Sequence, residues 1–127
     1  MKVAVVTDDN KTVSAHFGRA EYFLVYEAKD GAIVKRESRP KASHQHRDVM
    51  QIGREAGAQQ SEANFHDTVL SSVRDCEAVI TGGMGYGMYA SMMQAHIKPF
   101  VTDVSLADVA VQQYLKGTLA NHLERLH

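Results

Sequence analysis

A run of glycines directly after a short apolar segment constrains this chain more than any other feature of its sequence. Val79–Thr81 has the composition of a buried strand, and four glycines follow it within the segment Gly82–Gly87, before a helix-prone stretch. Glycine permits close backbone approach, so such a turn can aim main-chain N–H groups at a ligand. Those groups would lie at a helix N-terminus, which attracts anions through its dipole and unpaired donors. The loop therefore predicts an anion-binding site.

Two nucleotide-binding fingerprints do not fit this loop. No Gly-Lys-Ser or Gly-Lys-Thr follows the glycines, which excludes a Walker A loop. The Gly83-x-Gly85 spacing of the dinucleotide fingerprint is present, but Met88 stands where its third glycine belongs. A nucleotide-binding interpretation would have to account for both absences.

The composition limits the classes of protein that this chain can belong to. Its 127 residues predict one domain, spanning 1–127, with a single core. The formal net charge of −1 provides no general attraction to nucleic acid, and the one cysteine excludes an internal disulfide. No apolar stretch approaches the roughly 20 residues of a membrane span, and the N-terminus lacks the apolar run of a signal peptide. We therefore expect a cytoplasmic protein that binds neither nucleic acid nor membrane.

The order of the predicted elements indicates an α/β fold. Asp30-Gly31 predicts a hairpin, and the later alternation of strands and helices predicts parallel strands joined by crossover helices. The expected architecture is a mixed five-stranded sheet with helices on both faces. Strands are predicted over Lys2–Thr7, Tyr22–Ala28, Ala32–Ser38, Glu77–Thr81 and Ile97–Thr102. Helices are predicted over Phe65–Asp75, Tyr86–His96, Ser105–Lys116 and Thr118–Leu126.

The segment Lys41–Asn64 has the least regular pattern. A helix is possible over His46–Ala56, and a loop is expected over Ala58–Asn64, with Asn64 as a candidate N-cap for the helix that follows. Because the segment is polar and interrupted by glycines, we predict that it is the most mobile part of the unliganded chain.

Local signals also mark the boundaries of the last elements. Pro99 predicts that its strand lies at an edge of the sheet or carries a bulge. Ser105-x-x-Asp108 has the form of a capping box, and Gly117 predicts the end of the helix that begins there.

A second candidate segment connects the first two strands. His16 and Arg19 follow the first strand, so they are expected at its carboxyl end, where ligands of open α/β sheets usually bind. The glycine loop is expected to open at the same edge. His16 can offer an imidazole nitrogen to a metal, and Arg19 can neutralise an anion. The alternative is that His16 and Phe17 only attach the loop to the core.

The sulfur-containing side chains divide into structural and candidate functional ones. Cys76 lies between a helix and a buried strand, outside any Cys-x-x-Cys motif, which predicts a buried structural thiol. Met88 and Met92 share one helix face, as core residues do. Met84, inside the glycine loop, is the methionine expected to face a ligand, and its neighbour Tyr86 is placed to shield that ligand.

The two loops and their flanks resemble the dinitrogenase iron–molybdenum cofactor biosynthesis family. The resemblance rests on Val3–Asp8 with His16–Phe23, and on Val79–Gly85 with Ala95–Phe100, in the order and spacing of that family. It implies a ribonuclease-H-like α/β fold. Family members include carriers that hold an iron–sulfur or molybdenum-containing cluster during nitrogenase cofactor assembly. A small single-domain relative, the orange protein, carries a molybdenum–copper sulfide cluster.

The resemblance implies a non-catalytic carrier of an anionic metal–sulfur cluster, of iron–molybdenum or molybdenum–copper type. It implies a role connected with nitrogen fixation, and cofactor-assembly or nitrogenase-type proteins as partners. His16 occupies the position of the family's histidine. An anionic cluster also requires charge compensation and a few soft or imidazole ligands. The expected cluster-binding residues are His16, Arg19, Gly83, Met84, Gly85, Tyr86 and Gly87.

Two further groups of residues suggest other metal sites. His44-x-His46 can present two imidazoles to one metal if the segment is a loop, with His66 able to approach, and the alternative is an exposed polar loop. Asp8, Asp9 and Asp103 follow predicted strands and could hold Mg²⁺ in a nuclease or phosphodiesterase of ribonuclease H type, with Asp8 and Asp103 as its catalytic carboxylates. The alternative is that these aspartates form turns.

Overall fold

Five strands form one mixed sheet, and two hydrophobic cores lie on its opposite faces. The computed structural model describes residues 1–41 and 61–127, with side chains from 66 onward in the second range. The strands are β1 (Lys2–Thr7), β2 (Tyr22–Lys29), β3 (Ala32–Pro40), β4 (Ala78–Thr81) and β5 (Lys98–Val101). The helices are α1 (Ser61–Ser71), α2 (Tyr86–Gln94) and α3 (Ala107–Lys116).

The strand order is β3-β2-β1-β4-β5, and it confirms the predicted sheet. β1 pairs parallel with β4, and β4 pairs parallel with β5. β2 runs antiparallel to both β1 and β3. The hairpin between β2 and β3 turns at Asp30 and Gly31, whose φ angles of 55° and 79° are those of the tight turn that Asp-Gly favours. Pro99 lies in β5 at the sheet edge, as predicted.

Helices cover both faces of the sheet, because alternate side chains of each strand point to opposite faces. Ala4 and Val6 of β1 face α1 and α2 in one core, whereas Val3 and Val5 face α3 in the other. Both cores therefore depend on the period-two alternation of β1. Within the described residues, no helix combines the length and the apolarity needed to cross a membrane.

Several predicted helix boundaries are wrong. α1 begins at Ser61, so the loop expected up to Asn64 is helical in its last four residues, and Asn64 lies inside the helix instead of capping it. α3 begins at Ala107, and Ser105 and Asp108 form no capping box. The Asp108 carboxylate instead accepts a hydrogen bond from the Tyr26 hydroxyl at 2.5 Å, which ties α3 to the sheet.

The helix predicted over Thr118–Leu126 is also wrong. Only a 3₁₀ turn forms, at Leu123–Arg125. The Asn121 side chain binds the exposed edge of β5, accepting from the N–H of Val101 at 2.9 Å and donating to the carbonyl of Pro99 at 2.9 Å. This pairing holds the segment along the sheet edge, where a helix cannot form. Gly117, with a φ of 75°, ends α3 as predicted.

Candidate ligand-binding site

Two loops pack directly against each other beyond the carboxyl ends of β1 and β4. The N–H of Gly82 donates to the carbonyl of Ser14 at 2.8 Å, and the N–H of Phe17 donates to the carbonyl of Gly83 at 2.9 Å. A Cβ atom at Gly83 would lie 2.6 Å from the carbonyl oxygen of Ala15, closer than real Cβ contacts allow. Glycines are therefore required here so that the two loops can touch.

The joined loops form one wall of a pocket of about 600 Å³, a volume within the range of small-molecule and cofactor sites. The start of α2, one side chain from α1 and the residue His127 complete it. The lining residues are His16, Phe17, Gly18, Arg19, His66, Met84, Gly85, Tyr86, Gly87, Met88 and His127. Of the seven predicted cluster-binding residues, the structure brings six to this pocket. Gly83 is not among the lining residues, and its N–H donates to the Thr81 hydroxyl oxygen at 3.3 Å.

A 3₁₀ turn at Phe17–Arg19 presents the two polar side chains of the first loop to this pocket. Phe17 is buried and packs edge-on against Phe23, with ring centroids 6.0 Å apart. His16 and Arg19, on either side, are exposed. Phe17 therefore attaches the loop to the core, which leaves the His16 imidazole and the Arg19 guanidinium at the pocket.

Lys41 contacts the core side of this turn, and the sequence does not predict its position. Its ammonium donates to the carbonyl of Ala20 at 3.2 Å and lies 4.7 Å from the centre of the Phe17 ring. Burial lowers the pKa of Lys41 to about 8, so the group stays largely protonated at neutral pH. It adds a positive charge beneath the turn. No local pattern marks it, because its burial depends on the distant packing of Phe17.

One of the N–H groups that the glycine loop could offer to an anion already has an acceptor, the main chain of His127. The N–H of Tyr86 donates to the main-chain oxygen of His127 at 2.9 Å, and the N–H of His127 donates to the carbonyl of Met84 at 3.2 Å. The first turn of α2 retains the N–H groups of Gly87 and Met88, which find no main-chain acceptor within residues 1–41 and 61–127. The N–H groups of Met84 and Gly85 likewise find no main-chain acceptor in these residues, so the loop and the helix start together offer these four donors to an anion.

The side chains that line the pocket are a guanidinium, imidazoles, thioethers and the aromatic rings of Phe17 and Tyr86. Met84 and Met88 are buried, with 2% and 5% of their surface exposed, whereas Tyr86 is 63% exposed at the rim. Met92, one turn further along α2, belongs to the core alone. No Asp or Glu side chain occurs among the lining residues that the structure describes. The pocket therefore suits an anion that also has affinity for sulfur and nitrogen ligands.

His66 reaches the pocket from α1. Its Nδ1 lies 3.1 Å from the Ser91 hydroxyl oxygen, and its Cε1 lies 3.2 Å from where a Cβ of Gly87 would be. The sequence connects His66 only with the segment of His44 and His46, and no pattern in it predicts that His66 lies at the same pocket as His16. His44 and His46 themselves lie outside the described residues, as does the helix predicted over His46–Ala56.

The predicted carboxylate site is not assembled in the part of the chain that the structure describes. Asp8 accepts a hydrogen bond from the N–H of Glu21 at 3.0 Å. Asp9 accepts from the N–H groups of Thr12 and Lys11, at 2.7 and 2.9 Å, and these bonds hold its pKa well below the usual range. Both aspartates therefore organise loops.

Asp103, the other carboxylate of that candidate site, lies 3.8 Å from His122. Across residues 1–41 and 61–127, no three side chains of His, Cys, Asp or Glu group closely enough to hold a metal ion. Cys76 is buried, as predicted, and burial raises the pKa of its thiol to about 12.

Comparison with known proteins agrees with this architecture. The fold is similar to that of the apo form of the orange protein from Desulfovibrio gigas, at 21% identity and a TM-score of 0.66, covering 96% of this chain and 92% of that one. It is also similar to that of a candidate dinitrogenase from Methanocaldococcus jannaschii, at 15% identity and a TM-score of 0.66, covering 97% and 95%. At these identities the likeness establishes the fold alone. A search of curated protein sequences gave no match. A sequence profile described as dinitrogenase iron-molybdenum cofactor matches residues 1–117.

Proposed function

Because the chain belongs to the dinitrogenase iron-molybdenum cofactor family, we propose that its pocket binds an anionic metal–sulfur cluster and that the protein acts as a non-catalytic carrier. Membership connects the chain with cofactor binding in general. The observation that carries the more specific proposal is the composition of the pocket. Imidazole, thioether and guanidinium groups line it, and the described residues contribute no Asp or Glu side chain to it.

Each kind of lining group matches one property of such a cluster. Sulfide-bridged clusters are anionic, so the guanidinium of Arg19 and the N–H groups of Gly87 and Met88 compensate their charge. The His16 imidazole can ligate a metal at the periphery of the cluster. The thioethers of Met84 and Met88 give the inner wall a soft, polarizable surface. The donor set therefore fits the cluster that the family implies.

The proposed cargo is an iron–molybdenum cofactor precursor or a related molybdenum-containing cluster, such as a molybdenum–copper sulfide. A carrier needs an accessible site, and the exposed His16, Arg19 and Tyr86 lie where a partner can approach. We propose cofactor-assembly or nitrogenase-type proteins as the partners that deliver or receive the cluster.

Purification without oxygen, followed by metal analysis and a visible absorption spectrum, tests this proposal. We expect molybdenum or iron together with sulfide, and an absorption band above the protein range. Apo protein should also bind a preformed copper–thiomolybdate cluster in an anaerobic titration. His16→Ala should weaken this binding by at least about tenfold, as loss of a metal ligand or its close support does.

The matched control is His96→Asn. His96 is exposed, lies outside the pocket and has a φ of 61°, which asparagine tolerates. Its binding curve should coincide with that of the wild type. Equal binding by wild type and His16→Ala would remove His16 from the site. Absence of binding by the wild type would contradict the carrier proposal as a whole.

A further inference from the structure

The backbone conformation at position 87 does not explain why a glycine is found there. It lies in the first turn of α2, and its φ is not positive, so the conformation does not require glycine. Glycine also weakens a helix relative to alanine. A Cβ atom there would lie 3.2 Å from Cε1 of His66, a contact so tight that the ring would have to move by a few tenths of an ångström. The absence of a side chain at Gly87 therefore admits the His66 imidazole.

The same imidazole is fixed from a second side. Its Nδ1 lies 3.1 Å from the hydroxyl oxygen of Ser91, one turn further along α2. Gly87 thus lies against Cε1 of the ring, and Ser91 contacts its Nδ1. The His66 side chain is half-buried where it lines the pocket. A hydrogen bond at one ring nitrogen fixes the tautomer and orientation of a histidine that contacts a metal through the other.

We propose that His66 is a second imidazole contact for the ligand of this pocket, oriented by Ser91 and by the space at Gly87, and distinct from the contact made by His16. This inference rests on the proposed function. In the bound state Nδ1 of His66 carries the proton and donates it to the Ser91 hydroxyl oxygen, and Nε2 faces the ligand. Ser91 acts through His66 and is a positioning residue.

The arrangement also indicates the size of the ligand. His16 and His66 come from different elements and line the same pocket, but the described residues include no three His, Cys, Asp or Glu side chains that converge on one ion. The pocket of about 600 Å³ has room for a ligand that contacts the two imidazoles at separate places. A polynuclear cluster meets this condition, whereas a single ion does not.

Anaerobic titration with a preformed copper–thiomolybdate cluster tests the proposal. His66→Ala should bind it at least about tenfold more weakly. Ser91→Ala should lose less affinity, and Ser91→Thr should bind like the wild type because threonine keeps the hydroxyl. Gly87→Ala keeps every donor and favours the helix, yet it crowds the ring and should also weaken binding. Copper X-ray absorption should show fewer nitrogen neighbours in His66→Ala. His96→Asn serves as the control.

The outcomes separate this inference from the function on which it rests. Wild-type binding by His66→Ala, together with weak binding by His16→Ala, would overturn the inference and leave the proposed function intact. Absence of binding by the wild-type protein would overturn both. Tight binding of Zn²⁺ alone that depends on both histidines would overturn the conclusion that the ligand is polynuclear.

Discussion

The two ends of the parallel strands β1 and β4 use charged side chains in opposite ways. At the amino ends, Asp75 accepts from Lys2 at 3.1 Å and from Arg39 at 2.9 Å, and Arg39 also pairs with Glu37. Lys2 and Arg39 thus both have a carboxylate partner. At the carboxyl ends, Arg19 lies at the pocket and forms no ion pair with any residue in 1–41 or 66–127.

This difference separates a structural charge network from a binding site. The Asp75 network satisfies its own hydrogen bonds and joins β1 and β3 to the segment that precedes β4. The pocket gathers donors and a cation, and no Asp or Glu side chain occurs among its lining residues in the described part of the chain. A folded protein breaks such local pairing rules mainly at functional sites. The unpaired end is therefore where the ligand is expected.

The largest effect is expected where the two pocket loops touch. Gly83→Ala places a Cβ atom 2.6 Å from the carbonyl oxygen of Ala15, so the loops must separate. Overpacking of this kind costs about 1–3 kcal/mol of stability, and the pocket wall moves with it. Thermal unfolding and cluster titration should both show the loss. Gly85→Ala is the milder comparison, because its Cβ would lie 3.3 Å from the main-chain oxygen of His127.

Exchanging each arginine for leucine tests the comparison directly. Arg39→Leu leaves Asp75 and Glu37 without their partner and should lower the free energy of unfolding by about 1 kcal/mol. Arg19→Leu should change it by less than about 0.5 kcal/mol, since no ion pair is lost. Cluster binding should show the reverse order. Urea unfolding and anaerobic titration measure the two effects, and equal destabilisation by both variants would remove the distinction.

The salt dependence of cluster binding tests whether Arg19 acts through its charge. If Arg19 attracts the cluster through charge, the difference in affinity between wild type and Arg19→Leu should be larger at low ionic strength, where screening is weak. Titrations at two salt concentrations measure this difference. A difference that does not change with salt would indicate that Arg19 acts through its shape or through a hydrogen bond alone.

Low pH should reduce the stability of the folded protein through Asp75, the carboxylate of the charge network at the amino ends of the strands. Hydrogen bonds from Arg39, and then from Lys2, hold the pKa of Asp75 well below its usual range. A carboxylate with a depressed pKa stabilises the folded state above its unfolded-state pKa of about 3.9, and this contribution is lost as the pH falls further. Wild type should therefore lose stability below about pH 4 more steeply than Asp75→Asn. Urea midpoints measured across this range would show parallel curves if the network contributed nothing.

The smallest effect is expected at Cys76. Burial, and then the nearby charge of Asp75, raise the pKa of its thiol to about 12. The native protein should therefore react slowly with a thiol reagent at pH 8, and cluster loading should leave this rate unchanged. Rapid reaction that cluster loading prevents would place Cys76 at the ligand instead.

The sheet could be predicted because its signals are local. The Asp30-Gly31 turn and the alternation along β1 depend on neighbouring residues only. His16 and Arg19 could be placed at the pocket for a similar reason, since both follow a strand whose carboxyl end faces the ligand edge. Met84 and Tyr86 reach the same pocket because the glycine loop follows β4, the parallel neighbour of β1.

The parts that could not be predicted depend on contacts distant in sequence. His66 meets the pocket only because α1 packs against α2 and Gly87 leaves room for its ring. Lys41 is buried by Phe17, which precedes it by more than twenty residues. The helix expected after Gly117 fails because Asn121 pairs with the edge of β5. Local residue patterns do not predict such contacts between distant parts of the chain.

The central claim concerns where the cluster binds, and anomalous X-ray diffraction from crystals of the loaded protein tests it most directly. Data collected at the molybdenum and copper absorption edges locate each metal without assumptions about its ligands. We predict metal peaks inside the pocket, between the Phe17–Arg19 turn and the start of α2, within bonding reach of His16. Peaks at Asp103 and His122, or on the surface away from both loops, would contradict the account.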